Sequence, residues 1–432
     1  MKKLFNISLA ALAAMVVGLT ACNKNPQPEV VTEPENPAEV VTPDPGLLVV
    51  SVNPENGIES KVAGASATAA ESAIKSLQVF VFYGETKTQL GQTENNLETD
   101  IYKTYDGTEN HKTELITTTV GQKYIYALAN APRLRGITTV NSLKEQVMNL
   151  GYNSIPSGGL VMAGAFDYSW NEGANSGQIN VLGKKKEITA YTQNQPSTYT
   201  TVSINLYRLA ARIELQSIEV DFTGTDLEGQ SFTVEEIYLK NVPNGVRMDG
   251  QNSTLLSGDM TYWTNKISKE ASPKDKAGLD VTGLVFESIA GEDKNILAGG
   301  SGNPTKSTKT YGRYFYSYPN PITTDVTGGT PSTFTQRRTR IVIHAKIGGV
   351  DSYYPVSIAD PTNFIPADSS TPANSATHSQ IVGNHKYVIS KMKITSKGLP
   401  DDTIDEPIVT GRAEVTVTVQ DWNGNTVLNY DI

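Results

Sequence analysis

Several residue types are scarce in this chain, and each scarcity excludes a class of protein. Its 432 residues include one cysteine, Cys22, so no disulfide can form within the chain. None of the four histidines (His111, His344, His378 and His385) forms a close metal-ligand pair, and we expect His378 and His385 to lie in a solvated loop. The formal net charge is −9, which argues against nucleic acid as a partner.

Recognisable enzyme motifs are also missing. There is no GxSxG nucleophile elbow. The glycine-rich segment 300–307 lacks the glycine that precedes the lysine of a phosphate-binding loop, because Thr305 stands there. The acidic residues within 401–406 do not have the spacing of an EF-hand calcium loop. We therefore predict that the chain is not an enzyme and has no cofactor or metal site.

The N-terminus has the features of an export signal. Lys2 and Lys3 precede an apolar run, 4–19, that is too short and too rich in alanine for a good membrane span. The run leads into Leu19-Thr20-Ala21-Cys22, which resembles a bacterial lipobox. That resemblance implies removal of residues 1–21 and acylation of Cys22, which would hold the precursor on a membrane. The alternative is an ordinary secretory signal with a cysteine there by chance.

A proline-rich segment separates this signal from the first strand. Residues 22–46 contain many prolines and glutamates without apolar periodicity, which predicts a disordered tether. A strand is predicted over 47–52. The polar segment that follows contains Lys61, where a trypsin-like protease could cut. An ordinary loop that is never cut explains the same residues equally well.

Short alternating strands make up most of the remaining chain. They are predicted at 74–83, 113–119, 123–130, 202–215, 217–222, 234–242, 312–320, 340–347, 353–358 and 387–395. Turns are predicted at Gly121-Gln122 and at Gly348-Gly349. One helix is predicted over 141–150, where Ser142 and Glu145 have capping-box spacing. This pattern favours an all-β chain with few short helices and two antiparallel β-sandwich domains in tandem, 62–215 and 216–410.

The C-terminal stretch 411–432 is amphipathic up to its last residue. Apolar and polar residues alternate on both sides of Asn423-Gly424, as in strands with one buried face. A terminal hairpin closed by Asn423-Gly424 is one interpretation, and a strand that docks into a neighbouring molecule is the other. The apolar residues concerned are Val415, Val417, Val419, Trp422, Leu428, Tyr430 and Ile432.

Several segments in order along nearly the whole chain resemble the Bacteroidales fimbrillins, the type V pilins. They are the lipobox at Cys22, IKSLQVFVF (74–82), NLYRLAARIELQSIEV (205–220), LKNVPNG (239–245), YFYSYPN (314–320), GNHKYVISKMKI (383–394) and VTVTVQDWNGN (415–425). The resemblance implies two transthyretin-like β-sandwich domains. It also implies an outer-membrane lipoprotein precursor that becomes part of an extracellular fimbrium.

The resemblance further implies assembly by donor-strand exchange. A protease would remove the N-terminal strand within 47–61, displacing Leu48, Val50 and Val52. The C-terminal strand of another subunit would fill the groove, with Asn423-Gly424 as a bend between two donor segments. Related pilins are often cut after an arginine, but the first arginine here is Arg133, so Lys61 is the best substitute. In the unassembled precursor we expect 413–432 to be poorly packed.

The partners implied are other copies of the chain, other pilin subunits, and host or bacterial surface receptors. Two other functions fit the sequence. One is a surface lipoprotein that binds glycans, with aromatic residues such as Trp170 and Trp263 stacked on the sugars. The other is an anchor or accessory pilin. Neither requires strand donation by the C-terminus.

Overall fold

The computed structural model describes part of the chain in detail. The described residues are 44–54, 69–88, 91–106, 111–153, 159–167, 184–190, 199–243, 245–248, 262–263, 284–320, 338–358, 380–400 and 413–421, with 262–263 and 413–421 described by their backbone alone. Several residues singled out from the sequence lie outside these ranges. They include Cys22, Lys61, Trp170, His378, Trp422, Asn423, Gly424, Leu428, Tyr430 and Ile432.

Strands dominate the described part, and the prediction of an all-β chain is confirmed. In chain order they are β1 (Pro45–Pro54), β2 (Ser76–Tyr83), β3 (Leu97–Thr104), β4 (Ile116–Thr119), β5 (Gly121–Ala129), β6 (Val147–Asn149), β7 (Met162–Ala165), β8 (Lys186–Ile188), β9 (Thr200–Arg208), β10 (Ala211–Asp221), β11 (Phe232–Lys240), β12 (Val242–Pro243), β13 (Gly245–Arg247), β14 (Tyr262–Trp263), β15 (Phe286–Ser288), β16 (Asn295–Leu297), β17 (Lys306–Ser317), β18 (Arg340–Ile347), β19 (Val350–Ser357), β20 (His385–Ile394) and β21 (Ala413–Asp421).

The helices are short. They are α1 (Ala69–Ser72), α2 (Val140–Lys144) and the 3-10 turns Leu150–Tyr152 and Gly291–Lys294. Within the described residues, none of them is long and apolar enough to cross a membrane.

The helix predicted over 141–150 is wrong in extent. Thr139 caps α2, and Ser142 occupies the third helical position of the capping box instead of starting it. Residues 147–149 leave the helix because their backbone pairs with Gly245–Arg247 in the β6–β13 ladder. Val147 is consequently 49% exposed and does not share a buried helical face with Leu143.

Three main sheets organise the strands. The largest has the order β3-β2-β5-β7-β9-β1-β4, with β8 also paired to β5. A four-stranded sheet has the order β17-β10-β20-β21. A five-stranded sheet has the order β15-β11-β18-β19, with β16 also paired to β11. The hairpin predicted at Gly348-Gly349 joins β18 to β19, and both glycines have the positive φ of a type I′ turn.

The turn predicted at Gly121-Gln122 does not form a hairpin. Only Val120 separates β4 from β5, yet β4 pairs with β1 while β5 pairs with β2, β7 and β8. The two strands are neighbours in sequence but occupy distant positions in the sheet order.

Two apolar clusters form the core, and β2 contributes to both. Leu77, Val79 and Val81 point into the smaller cluster, which also receives β1, β5 and β9. Phe80 and Phe82 point into the larger cluster, which continues into the C-terminal sheets. Both faces of β2 are thus buried, so its sequence is almost continuously apolar.

The long strand predicted over 202–215 is two strands in two different sheets. The break falls at Leu209-Ala210, where β9 ends and β10 begins. The domain boundary drawn between 215 and 216 therefore lies inside β10, at a register irregularity between Leu215 and Ser217. Residues 43–432 cluster as one compact unit, in keeping with the shared larger core.

Candidate functional site

β1 lies within the largest sheet, between β9 and β4. It runs parallel to β9, with Leu48 opposite Thr200 and Pro54 opposite Leu206. It runs antiparallel to β4, with Pro45 opposite Thr119 and Leu48 opposite Ile116. Farther along β1, the amide of Val52 donates to the carbonyl of His111, and the amide of Thr113 donates to the carbonyl of Val50. The strand is longer at both ends than the predicted 47–52.

Alternate side chains of β1 fill the smaller core. Leu48, Val50 and Val52 have relative exposures of 0%, 0% and 2%. Around them lie apolar side chains of β4 and β9, including Ile116, Val202 and Ile204. Burial of each such side chain stabilises the fold by roughly 1.5–3 kcal/mol. These contacts are of a kind that any strand with the same alternation could make.

The chain is held differently where the described residues resume at α1. The Glu71 side chain is fully buried, and its carboxylate lies 3.1 Å from Nη1 of Arg212 on β10. The hydroxyl of Tyr316 on β17 donates to Glu71 Oε1 at 2.7 Å. Burial and the neighbouring Glu71 charge raise the pKa of Tyr316, which keeps this hydroxyl a neutral donor. Glu71 thereby ties α1 to the four-stranded sheet.

Arg208, at the end of β9, adds two bonds to the same segment. Its Nε donates to the carbonyl of Glu71 at 3.0 Å, and its Nη2 donates to Ser72 Oγ at 2.9 Å. The sequence marks Arg208 and Arg212 as charges in an apolar strand, a pattern that requires buried partners. It does not identify Glu71, which lies 141 residues before Arg212.

Asn130 secures the residues between α1 and β2. Its side-chain amide donates to the carbonyl of Ala73 at 2.7 Å, and its Oδ1 accepts the amide of Lys75 at 2.7 Å. Asn130 adopts the left-handed conformation, with φ of 58°, which asparagine tolerates better than most residues. Ile74, between these two contacts, is 1% exposed. We call residues 69–76 the anchor segment.

A second buried ion pair lies against β4. Nζ of Lys123 on β5 is 2.6 Å from Oε2 of Glu98 on β3, and both side chains are almost inaccessible. Glu98 also accepts hydrogen bonds from Thr118 Oγ1 at 2.6 Å and from the Thr119 amide at 2.7 Å. Lys123 Nζ contacts Thr119 Oγ1 at 2.7 Å. Burial lowers the pKa of Lys123 despite this carboxylate.

The first half of the C-terminal stretch is paired within the chain. β21 forms an antiparallel ladder with β20 at the edge of the four-stranded sheet. In its register Val419 lies opposite Tyr387, Val417 opposite Ile389 and Val415 opposite Met392. The expectation of a poorly packed 413–432 is therefore wrong for the backbone of 413–421, because β20 offers a free edge with which it pairs. Residues 422–432 lie outside the described part.

The histidines give no sign of a metal site. Among the described residues, no three His, Cys, Asp or Glu side chains are grouped as metal ligands. His385 begins β20 and is buried, so the expectation of a solvated loop is wrong for it, and His378 lies outside the described residues. His344 lies on β18, within the strand predicted over 340–347. His344 stacks on Tyr353 and lies between Glu236 and Asp351. The side chains of Trp170 and Trp263 lie outside the described residues.

Comparison with known proteins shows a similarity to fimbrial proteins in both sequence and fold. Residues 48–208, which begin within β1 and end with β9, match the family model of the major fimbrial subunit protein, FimA. The resemblance to the fimbrillins is confirmed. The matched family consists of fimbrial subunits and not of enzymes, as predicted. No curated protein sequence matches the chain.

Solved structures support the same fold over most of the chain. A fimbrilin from Porphyromonas gingivalis is 16% identical, with a TM-score of 0.50 over 87% of this chain and 96% of that one. A protein from Parabacteroides distasonis, named as a candidate cell adhesion protein, is 14% identical. Its TM-score is 0.51 over 88% of this chain and 100% of its own. At these identities the likeness establishes the β-sandwich fold alone.

Proposed function

We propose that this chain is a structural subunit of a fimbrial shaft that supports cell adhesion. Acylation at Cys22 holds the exported precursor on the outer membrane. Cleavage near Lys61 then frees the strand β1, and a neighbouring subunit supplies a replacement strand. The product is an extracellular fimbrium of head-to-tail subunits. Its adhesion partners are host or bacterial surface receptors.

The observation that carries this proposal is the way β1 is held. It is held mainly by two backbone ladders and the alternating side chains Leu48, Val50 and Val52. Two hydrogen bonds involve particular side chains: Asn53 Nδ2 donates to Ser203 Oγ, and the Val50 amide donates to Thr113 Oγ1. In strand addition, such ladders supply affinity, and pockets for alternate side chains supply register. Removal of β1 would leave a groove between β4 and β9 that is lined by apolar side chains. A strand with the same alternation from another chain fits that description.

The anchor segment supports Lys61 over Lys75 as the cleaved residue. The amide of Lys75 is bonded to Asn130, and the neighbouring Ile74 is buried. A cut at Lys75 would also remove Glu71 and leave Glu214 as the one carboxylate bonded to Arg212 among the described residues. Lys61 is the only lysine or arginine between Asp44 and Ile74. Cutting there removes β1 and retains the anchor.

The donor residues are those of the C-terminal stretch. Val415, Val417 and Val419, or Leu428, Tyr430 and Ile432, reproduce the three-pocket spacing of Leu48, Val50 and Val52. Because β21 is paired with β20, residues 413–421 must leave that edge before they can be donated. The observed ladder with β20 does not include residues 422–432, so donation of this segment, with Trp422, does not require their release from it. Head-to-tail donation is heterologous, so it produces open filaments instead of closed rings.

Treatment of the purified full-length precursor with a lysine-specific protease tests the proposal. We expect a new N-terminus at Val62 and a ladder of polymers on electrophoresis without boiling. The K61A variant should stay monomeric, and K24A serves as the control that is still matured. A variant ending at Arg412 should be cleaved but should not polymerise.

The N-terminal residue and the oligomeric state of protein extracted from the cell surface give the result that could contradict the proposal. A mature monomer that still carries Cys22 and β1 would exclude the shaft role and would favour an anchor or accessory pilin. Full unfolding of the variant ending at Arg412 would identify 413–432 as an intramolecular hairpin. Peptides 413–421 and 422–432, added separately to cleaved precursor, distinguish the two donor segments.

A further inference from the structure

β4 has an unusual position in the largest sheet. It stands at the end of the strand order, and among the described residues its only strand partner is β1. If β1 leaves, as in the proposed function on which this inference rests, β4 loses its whole ladder. An incoming strand nevertheless needs β4 in place, because β4 forms one wall of the groove. Some other contact must keep the wall in position.

Glu98 and Lys123 make contacts that do not depend on β1. Glu98 belongs to β3 at the opposite end of the sheet order, and Lys123 belongs to β5. Their side chains meet Thr118 and Thr119 through three hydrogen bonds of 2.6 to 2.7 Å. One of these takes the backbone amide of Thr119, which lies opposite Pro45 of β1. The Val120 amide donates to the carbonyl of Asp44, so Thr119 and Pro45 form a non-hydrogen-bonded pair and the Thr119 amide faces away from β1.

Because the Glu98–Lys123 pair is buried, its two charges depend on particular partners. The side chains of Lys123 and Glu98 are 1% and 8% exposed, so each charge depends on the other and on the threonine contacts. Lys123 Nζ also lies 4.3 Å from the ring centre of Tyr83 on β2. The pair is thus fixed to β2, β3 and β5, three strands that remain paired with one another when β1 is absent. It joins that stable part of the sheet to β4.

We propose that Glu98 and Lys123 are positioning residues for strand exchange, which hold β4 as a preformed wall of the groove after β1 departs. The ligand of this groove is a strand from a second copy of the chain. The pair does not contact that strand through apolar pockets. It acts by holding Thr119 from the side away from the groove, which keeps the backbone of Thr118 where the incoming strand can pair with it.

The double variant E98M/K123M tests the proposal in the full-length protein. Replacement of both charges by apolar side chains of similar length avoids an unpaired buried charge. The matched control is E94Q, which breaks the exposed Glu94–Lys185 pair without touching β4. Each protein is cleaved with the lysine-specific protease, and uptake of a labelled 413–432 peptide in place of the released β1 is measured.

We expect the double variant to bind the peptide at least about tenfold more weakly than E94Q, a change of the size given by loss of one or two hydrogen bonds. Before cleavage, β1 still pairs with β4, so limited proteolysis by thermolysin within 113–119 should be similarly slow in both proteins. After cleavage and release of β1, this segment should be cut rapidly in the double variant only.

Two results separate the inference from the proposed function. Equal peptide affinity for E98M/K123M and E94Q would overturn the role of the pair while leaving strand exchange intact. If even the wild-type chain takes up no peptide, strand exchange fails, and limited proteolysis then decides the role of the pair. Equal resistance of 113–119 in the two cleaved variants would overturn it, and faster cutting in the double variant alone would support it.

Discussion

β1 and the anchor segment lie on either side of residues 55–68, and they are attached to the fold in opposite ways. β1 contributes ladders and an alternating row of apolar side chains, which depend on pattern more than on identity. The anchor segment contributes Glu71 and Ser72, which meet particular side chains at fixed distances. The difference indicates which part of the chain another strand could replace and which part it could not.

The largest expected effect concerns the anchor segment. The substitution E71Q should lower the free energy of unfolding by about 3 kcal/mol or more, because it removes the buried charge that accepts hydrogen bonds from Arg212 and Tyr316, although Glu214 remains beside Arg212. The measurement is urea denaturation of the full-length chain. E114Q, at an exposed position, is the control and should change stability by less than about 0.5 kcal/mol.

A double variant sharpens the reason for that loss. In E71L/R212M both charges are replaced by apolar groups, so part of the stability lost in E71Q should return, less the contacts that Glu214 and the Tyr316 hydroxyl also lose. If the double variant is as unstable as the sum of the two single variants, the ion pair is not the source of the attachment. The anchor segment would then resemble β1, and the contrast between the two regions would fail.

A smaller effect is expected within β1, and it should depend on maturation. L48A should destabilise the intact chain by about 2–5 kcal/mol, because it leaves a cavity in the smaller core. L47A, whose side chain is half-buried on the other face, should cost less than about 1 kcal/mol. In assembled polymer neither change should matter, since β1 would be gone. A persistent L48A effect on polymer unfolding would mean that β1 stays in the groove.

The smallest effect concerns an ionic contact that reaches the protein surface. Burial of His344 opposes protonation, but hydrogen bonds to Glu236 and Asp351 outweigh burial and raise its pKa above the usual 6.5. The stability gained is fully present below the unfolded-state pKa and is lost as the pH rises through the higher folded-state value. The difference in unfolding free energy between wild type and H344Q should thus shrink from about pH 6 to about pH 9.

We expect this His344 contribution to stay below about 1 kcal/mol, because Asp351 is half exposed to solvent. Urea denaturation at a series of pH values measures it, and Y353F is a control that keeps the ionic contacts. A contribution as large as that of Glu71 would show that burial is not what distinguishes the anchor segment from other ionic contacts.

Local patterns predicted much of the fold. Short apolar runs were sufficient to predict β1 and β2, alternation was sufficient for β20, and the paired glycines at 348 and 349 were sufficient for the β18–β19 hairpin. The helix at 141–150 was overestimated because pairing of 147–149 with β13 overrides a helical apolar spacing. The strand at 202–215 was drawn too long because an apolar run does not reveal that the chain changes sheets at Leu209.

The candidate site was predicted only in part, for a related reason. The apolar face of β1 is a local pattern, and Leu48, Val50 and Val52 are buried as that pattern requires. Glu71, Glu98 and Lys123 give no local signal, because their partners lie in strands that are distant in sequence. A buried charge can be suspected from an apolar context, as with Arg212, but its counter-ion is set by topology.

The two buried faces of β2 have a consequence for cooperativity. Phe80 and Phe82 pack in the larger core while Val79 and Val81 pack in the smaller one, so neither core can open without exposing the same strand. Heating should therefore give one calorimetric transition for residues 43–432 instead of one for each half. Because β2 also packs in the larger core, an empty groove in the smaller core should lower the stability of the chain without unfolding it.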